Sequence, residues 1–189
     1  MIPTDEEKTT WSLTVRVLHW LTAAMIAVEL VVSFGPMATG PGVFVWLPAH
    51  LSIGAAVAAL VLVRLVRRCF ERAPAIGIPP FVRTLASVLH ATLYAVLVAV
   101  LFTGWAAYRP SPFIPRARLF GLVPMPDFPA TPWLAAQQYA SLHRLLVWIF
   151  LALLVIHVAA AVFHGVVLKD SVMSGMLSAR RSSGRRIDE

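Results

Sequence analysis

The chain has 189 residues, of which 59% are hydrophobic and only 13% charged, and its mean hydropathy is +0.78. Soluble domains carry about 25% charged residues, so composition excludes an ordinary water-soluble enzyme and a disordered chain. The net charge of +7 does not indicate a nucleic-acid-binding domain, because the sixteen basic residues avoid the apolar runs and cluster beside them, as they do in membrane proteins.

Four apolar runs follow one another: Val17 to Gly35, Phe44 to Val63, Leu85 to Tyr108 and Leu145 to Leu168. Each is long enough to cross a hydrocarbon core of about 30 Å as a helix. None alternates with period two, which excludes a β-barrel. The expected fold is all-α: an integral membrane four-helix bundle forming one domain over 1–189. Its spans are expected at about 12–35, 44–66, 84–108 and 141–168, with a basic tail over 169–189. The segment Asp5 to Lys8 is acidic where a signal peptide is basic, so the first run is read as a retained span. The fourteen prolines are expected at run edges or between runs, where they break no helix.

Basic residues set the orientation. Arg64, Arg67, Arg68, Arg72 and Arg83 lie between runs two and three, and Lys169, Arg180, Arg181, Arg185 and Arg186 follow run four. The positive-inside rule puts these segments and both termini in the cytoplasm. The connection between runs three and four then faces outward, although it carries Arg109, Arg116 and Arg118, with Arg144 at its end. Trp20, Trp46, Trp105 and Trp148 fall mostly near span ends, as an interfacial belt requires. The single cysteine, Cys69, excludes an internal disulfide, a thiolate-ligated zinc or iron–sulfur site, and c-type haem attachment.

The six histidines, His19, His50, His90, His143, His157 and His164, all lie in or at the ends of the runs. Polar groups in membrane helices are costly and face the bundle interior. His143 and His157 are fourteen residues apart, four turns at 3.5 residues each, so they share one face about 21 Å apart. His50 opens run two on the outer side and His19 lies early in run one on the inner side. Two levels result, His50 with His143 and His19 with His157, which is the arrangement that two six-coordinate b haems need. Depth alone leaves His164 open as the inner partner, since His19 is three residues from Arg16 and His164 five from Lys169. A zinc or di-iron site would gather carboxylates at one depth. Glu29, the carboxylate within the runs, lies ten residues from His19, about 15 Å deeper, and is expected to face the interior.

Several segments carry a resemblance to the prokaryotic cytochrome b561 family. They are Arg16-Val-Leu-His19-Trp20-Leu, His50-Leu-Ser-Ile-Gly54 with the trailing Val63-Arg-Leu-Val-Arg-Arg68, and His90 with Tyr94 and Gly104. Ser141-Leu-His143, His157, Ala-Ala-Ala-Val-Phe-His164 and Leu168-Lys-Asp170 complete the match, which spans about 11–172 and includes all six histidines. The chain resembles the four-helix, di-haem members that act as superoxide oxidases of the bacterial inner membrane. The resemblance implies two haem b groups, with iron ligands His19 and His157, and His50 and His143. It implies superoxide as electron donor and ubiquinone as acceptor, in contact with membrane lipid and with no nucleic acid partner. His90 and His164 are candidates for propionate contacts, a quinone pocket or proton transfer, and Arg16 belongs to the first motif. Gly54, one turn after His50, lets a porphyrin lie against bare backbone or lets helices pack closely. Arg109, Arg116, Arg118 and Arg144 are read as an anion funnel that raises superoxide capture, or as partners of propionates or lipid phosphates. A second reading shares the helices and haems: a non-catalytic haem-b membrane anchor that relays electrons between quinone and a redox partner protein.

Overall fold

A computed structural model describes residues 11–71, 79–110, 116–129 and 134–177. The acidic N-terminal segment, Arg72, Trp133 and the tail beyond Leu177 lie outside the described residues. Four long helices are present: α1 (Leu13–Phe34), α2 (Gly42–Phe70), α3 (Pro80–Ala107) and α4 (Ala136–Phe163). Each is long and apolar enough to cross a membrane. The last turn of α4 widens to a π-turn over His164–Leu168, and a short helix α5 (Ser171–Leu177) follows. A two-stranded hairpin, β1 (Arg118–Leu119) and β2 (Val123–Pro124), lies in the connection between α3 and α4.

Local chemistry sets the helix ends. Ser12 caps α1, its hydroxyl accepting from Val15 N at 3.4 Å, while its own N–H reaches Glu71 at the end of α2. Pro80 opens α3, where a missing N–H costs nothing. Gln138 accepts from Ala135 N at the start of α4. After the π-turn, Lys169 adopts φ +51°, and Asp170 accepts from Val172 N at 3.0 Å to start α5.

One expectation needs correction. Pro48 lies inside α2 rather than at its edge, because the helix begins at Gly42. Only the bond to the Phe44 carbonyl is lost, within two turns of the helix mouth, and membrane helices tolerate such a proline where neighbouring groups compensate. Ser52 donates to the Pro48 carbonyl at 2.7 Å one turn later.

Helices α1 and α2 pack along each other, as do α3 and α4, and the two pairs meet through a lighter α2–α3 contact. Apolar side chains cover the outside, for example Val31, Leu62 and Val155, as expected for lipid-facing helices. Two cores are buried inside. Val57, Val61, Leu97 and Phe150 fill the middle of the bundle. Leu51, Tyr108, Ala117 and Met125 lie under the hairpin, which is pinned to α2 by Phe120 N donating to the Ser52 hydroxyl at 2.9 Å. The hairpin turn uses left-handed backbone at Phe120 (φ +52°) and Gly121 (φ +72°). The bundle thus has a hairpin end and an α5 end.

Candidate functional site

At the hairpin end, His50 of α2 and His143 of α4 face each other with ring centroids 6.2 Å apart and planes at 88°. His143 Nδ1 donates to the Val100 carbonyl of α3 at 2.9 Å. Gly104 lies against the same ring, and a Cβ there would come within 3.0 Å of His143 Cε1, so the absence of a side chain at 104 seats the imidazole. His50 Nδ1 contacts the Glu29 carboxylate of α1 and stands 3.1 Å from the Ser33 hydroxyl. Ser33 in turn donates to Glu29 Oε1 at 2.8 Å. The second carboxylate oxygen of Glu29 is buried without a partner among the described residues. Glu29 therefore faces the interior, as its cost in lipid requires.

At the α5 end, His19 of α1 and His157 of α4 are paired in the same manner, with centroids 6.3 Å apart and planes at 70°. His90 of α3 packs edge-on against His157 at 5.1 Å, its Nδ1 bonded to the Ala86 carbonyl at 2.6 Å. Arg64 of α2 donates to His19 Nδ1 at 3.0 Å and lies over the Tyr94 ring at 5.4 Å. An arginine only donates, so Nδ1 of His19 is bare here, and metal binding through Nε2 requires Arg64 to release it. His164 belongs to neither pair: its Nδ1 bonds Asp170 Oδ2 at 2.5 Å. Its place beside the π-turn removes it from the inner level that depth alone left open.

Arg16 lines a groove of about 420 Å³ with Leu13, Val17, Trp20, Leu21, Met176 and Leu177. Its Nε is buried without a partner among the described residues, while the Trp20 indole donates to the Met176 carbonyl at 3.1 Å.

The ring separations of both histidine pairs suit one metal between two imidazoles, and the His19 pair also requires Arg64 to release Nδ1. A metal–nitrogen bond of about 2 Å on each side, plus about 1.1 Å from each nitrogen to its ring centre, separates axial ring centres by about 6 Å. The separations of 6.2 and 6.3 Å meet that requirement. With Nδ1 of His50 and His143 held by neighbours, Nε2 is the nitrogen left for iron, the usual division of labour in histidine ligands. Gly54 has nothing within 4 Å of where its Cβ would stand, so it faces open space rather than a tightly packed helix. Among the described residues no three His, Cys, Asp or Glu side chains gather as a site for a bare metal ion.

Each loop arginine of the expected funnel has a local partner. Arg109 donates to the Tyr108 carbonyl at 2.8 Å and lies over Phe128. Arg116 pairs with Asp127 at 2.5 Å. Arg118 closes the hairpin on the Gly121 and Leu122 carbonyls at 3.2 and 2.6 Å, and Arg144 reaches the Ser141 hydroxyl at 3.2 Å. All four stand at the hairpin end, and Asp127 pairs with Arg116.

The sequence model of the family described as prokaryotic cytochrome b561 matches residues 10–179. The chain belongs to that family. It is a four-helix membrane haem protein family, and membership implies haem b as the cofactor. A relative from Yersinia pestis named "Probable superoxide oxidase CybB" is 28% identical over 174 residues, which cover 87% of this chain and 93% of that protein.

Arg64, Ser33 and the partner of Glu29 were missed from the sequence. Arg64 had a signal: it follows His50 by fourteen residues, the spacing that aligns His143 with His157, but it was counted among the basic flanks. Glu29 and Ser33 are four apart and share a helix face, yet nothing in the sequence names the helix that face meets.

Proposed function

We propose that this family member is a superoxide oxidase of the bacterial inner membrane, with the hairpin end in the periplasm and both termini in the cytoplasm. Two superoxide anions would each give one electron and leave as oxygen, and ubiquinone would take the two electrons and two cytoplasmic protons to become ubiquinol. Two b haems, one held by His50 and His143 and one by His19 and His157, would supply one-electron storage between the two faces.

The observation that carries this reading is the presence of two histidine pairs of equal spacing, separated by about 21 Å of helix and by the apolar layer of Val57, Val61, Leu97 and Phe150. The name of the Yersinia relative supports superoxide as donor. At the hairpin end, four arginines against Asp127 give a positive field that draws a small anion. Val100 and Gly104 orient His143. At the α5 end, the groove beside Trp20 offers apolar walls and the unpartnered Arg16 Nε, which suits a quinone carrying a long tail. His164 and Asp170 lie at that cytoplasmic end and would exchange protons with water.

The electron-relay anchor is favoured by one observation, the exposure of Phe120, Leu122 and Val123 at the hairpin, which offers a partner an apolar docking point. The two readings separate in the purified chain. Superoxide generated beside it should reduce the haem absorbance bands and, with a ubiquinone analogue, support continued turnover. No superoxide-dependent reduction with quinone supplied would leave the relay reading.

A further inference from the structure

We infer that Glu29 is a positioning residue that, through His50, holds the hairpin-end haem at a lower reduction potential than the α5-end haem. The inference rests on the two-haem reading above and adds to it the order of the two potentials.

The Glu29 carboxylate contacts His50 Nδ1 directly, so with His50 bound to iron through Nε2 the Nδ1–H donates to a full negative charge. A carboxylate in that place raises the basicity of the ligand, which favours the oxidised iron and lowers its potential. The two side chains are only 20% and 18% exposed, so the charge acts with little screening. Ser33 moderates the effect twice. Its hydroxyl donates to Glu29 Oε1 at 2.8 Å and lies 3.1 Å from His50 Nδ1, where it shares the imidazole proton.

Among the described residues the other three histidines of the two pairs have no such carboxylate partner. His143 Nδ1 donates to the neutral Val100 carbonyl. At the α5 end, the described residues place no carboxylate against His19, His90 or His157, and the charged group beside His19 is the Arg64 guanidinium. A cation near a redox centre favours the reduced form. A carboxylate at one level and a guanidinium at the other therefore tilt the bundle the same way, and at equilibrium an electron entering at the hairpin end resides at the α5 end. Under the proposed function this is the side where quinone is reduced.

The test is a spectroelectrochemical titration of the full-length, haem-loaded protein, with the hairpin-end component identified as the one missing from His143→Ala. In Glu29→Gln, which keeps shape and removes charge, the hairpin-end potential should rise enough to change electron sharing between the haems at least tenfold, or 59 mV for a one-electron couple. The α5-end potential should not move. Ser33→Ala should shift the hairpin-end potential downward, because Glu29 then takes the whole imidazole proton. A purely structural role for Glu29 would weaken haem retention without moving the potential of the haem that remains bound. An unchanged or lowered potential in Glu29→Gln overturns the inference. If that variant loses its hairpin-end haem, Ser33→Ala decides, and an unchanged or raised potential there overturns it. A wild-type protein with a single haem would instead refute the two-haem reading itself.

Discussion

Gly104→Ala is the smallest change that should disable one site and spare the other. An added Cβ would stand 3.0 Å from His143 Cε1 and 3.1 Å from Nδ1. Comfortable carbon contacts begin near 3.5 Å, so the ring must retreat by about 0.5 Å. Nδ1 is also the atom bonded to the Val100 carbonyl at 2.9 Å, and retreat stretches the bond that fixes the ring. Loss of such a supporting partner typically costs 10–100-fold in metal affinity, or about 1.4–2.7 kcal/mol. With limiting haem, the haem-to-protein ratio should fall from near two towards one, and haem titration should show one weakened and one normal site. Retention of two haems at wild-type affinity with an unchanged spectrum would refute the seating role of Gly104.

Gly54→Leu should also lower haem content, because no protein atom stands within 4 Å of an added Cβ there and a leucine side chain would occupy the space a macrocycle at that level would use; unchanged haem affinity would place the macrocycle elsewhere. Haem reduction by superoxide should slow as salt shortens the screening length from about 10 Å at 0.1 M to about 3 Å at 1 M, as measured by stopped-flow absorbance. Arg144→Gln, which removes a charge bonded to Ser141, should slow that reduction at low salt while leaving the haem spectra intact. A reporter fused after Glu189 should behave as cytoplasmic, and a periplasmic signal would exchange the roles of the two ends.

The fold was legible because four apolar runs in a chain this poor in charge admit few alternatives to a helical bundle. The ring contacts of His50 with His143 and of His19 with His157 follow from spacing: fourteen residues on α4 separate the two levels, and His19 and His50 begin their helices' interior faces at opposite ends. Cross-helix contacts were less accessible. The meeting of Glu29 with His50 depends on how the Pro36–Ala38 turn returns the chain, and a turn's geometry sets helix rotation without leaving a periodic signal. His164 lies two turns beyond His157 on a similar face, yet the π-turn and the left-handed Lys169 carry it to Asp170. Pro48 was misplaced because apolar runs mark where lipid begins, whereas α2 starts before the run does. The loop arginines read from the sequence as an anion funnel, or as partners of propionates or lipid phosphates; their carbonyl and Asp127 partners depend on a hairpin whose turn is set by Phe120 and Gly121.

Haem stoichiometry across the histidine variants is the most direct measurement of the two-level assignment. The wild-type chain should carry two b haems, His143→Ala should lose the hairpin-end haem alone, and His157→Ala the α5-end haem alone, with His164→Ala retaining both. Two haems in His157→Ala together with one in His164→Ala would contradict the assignment.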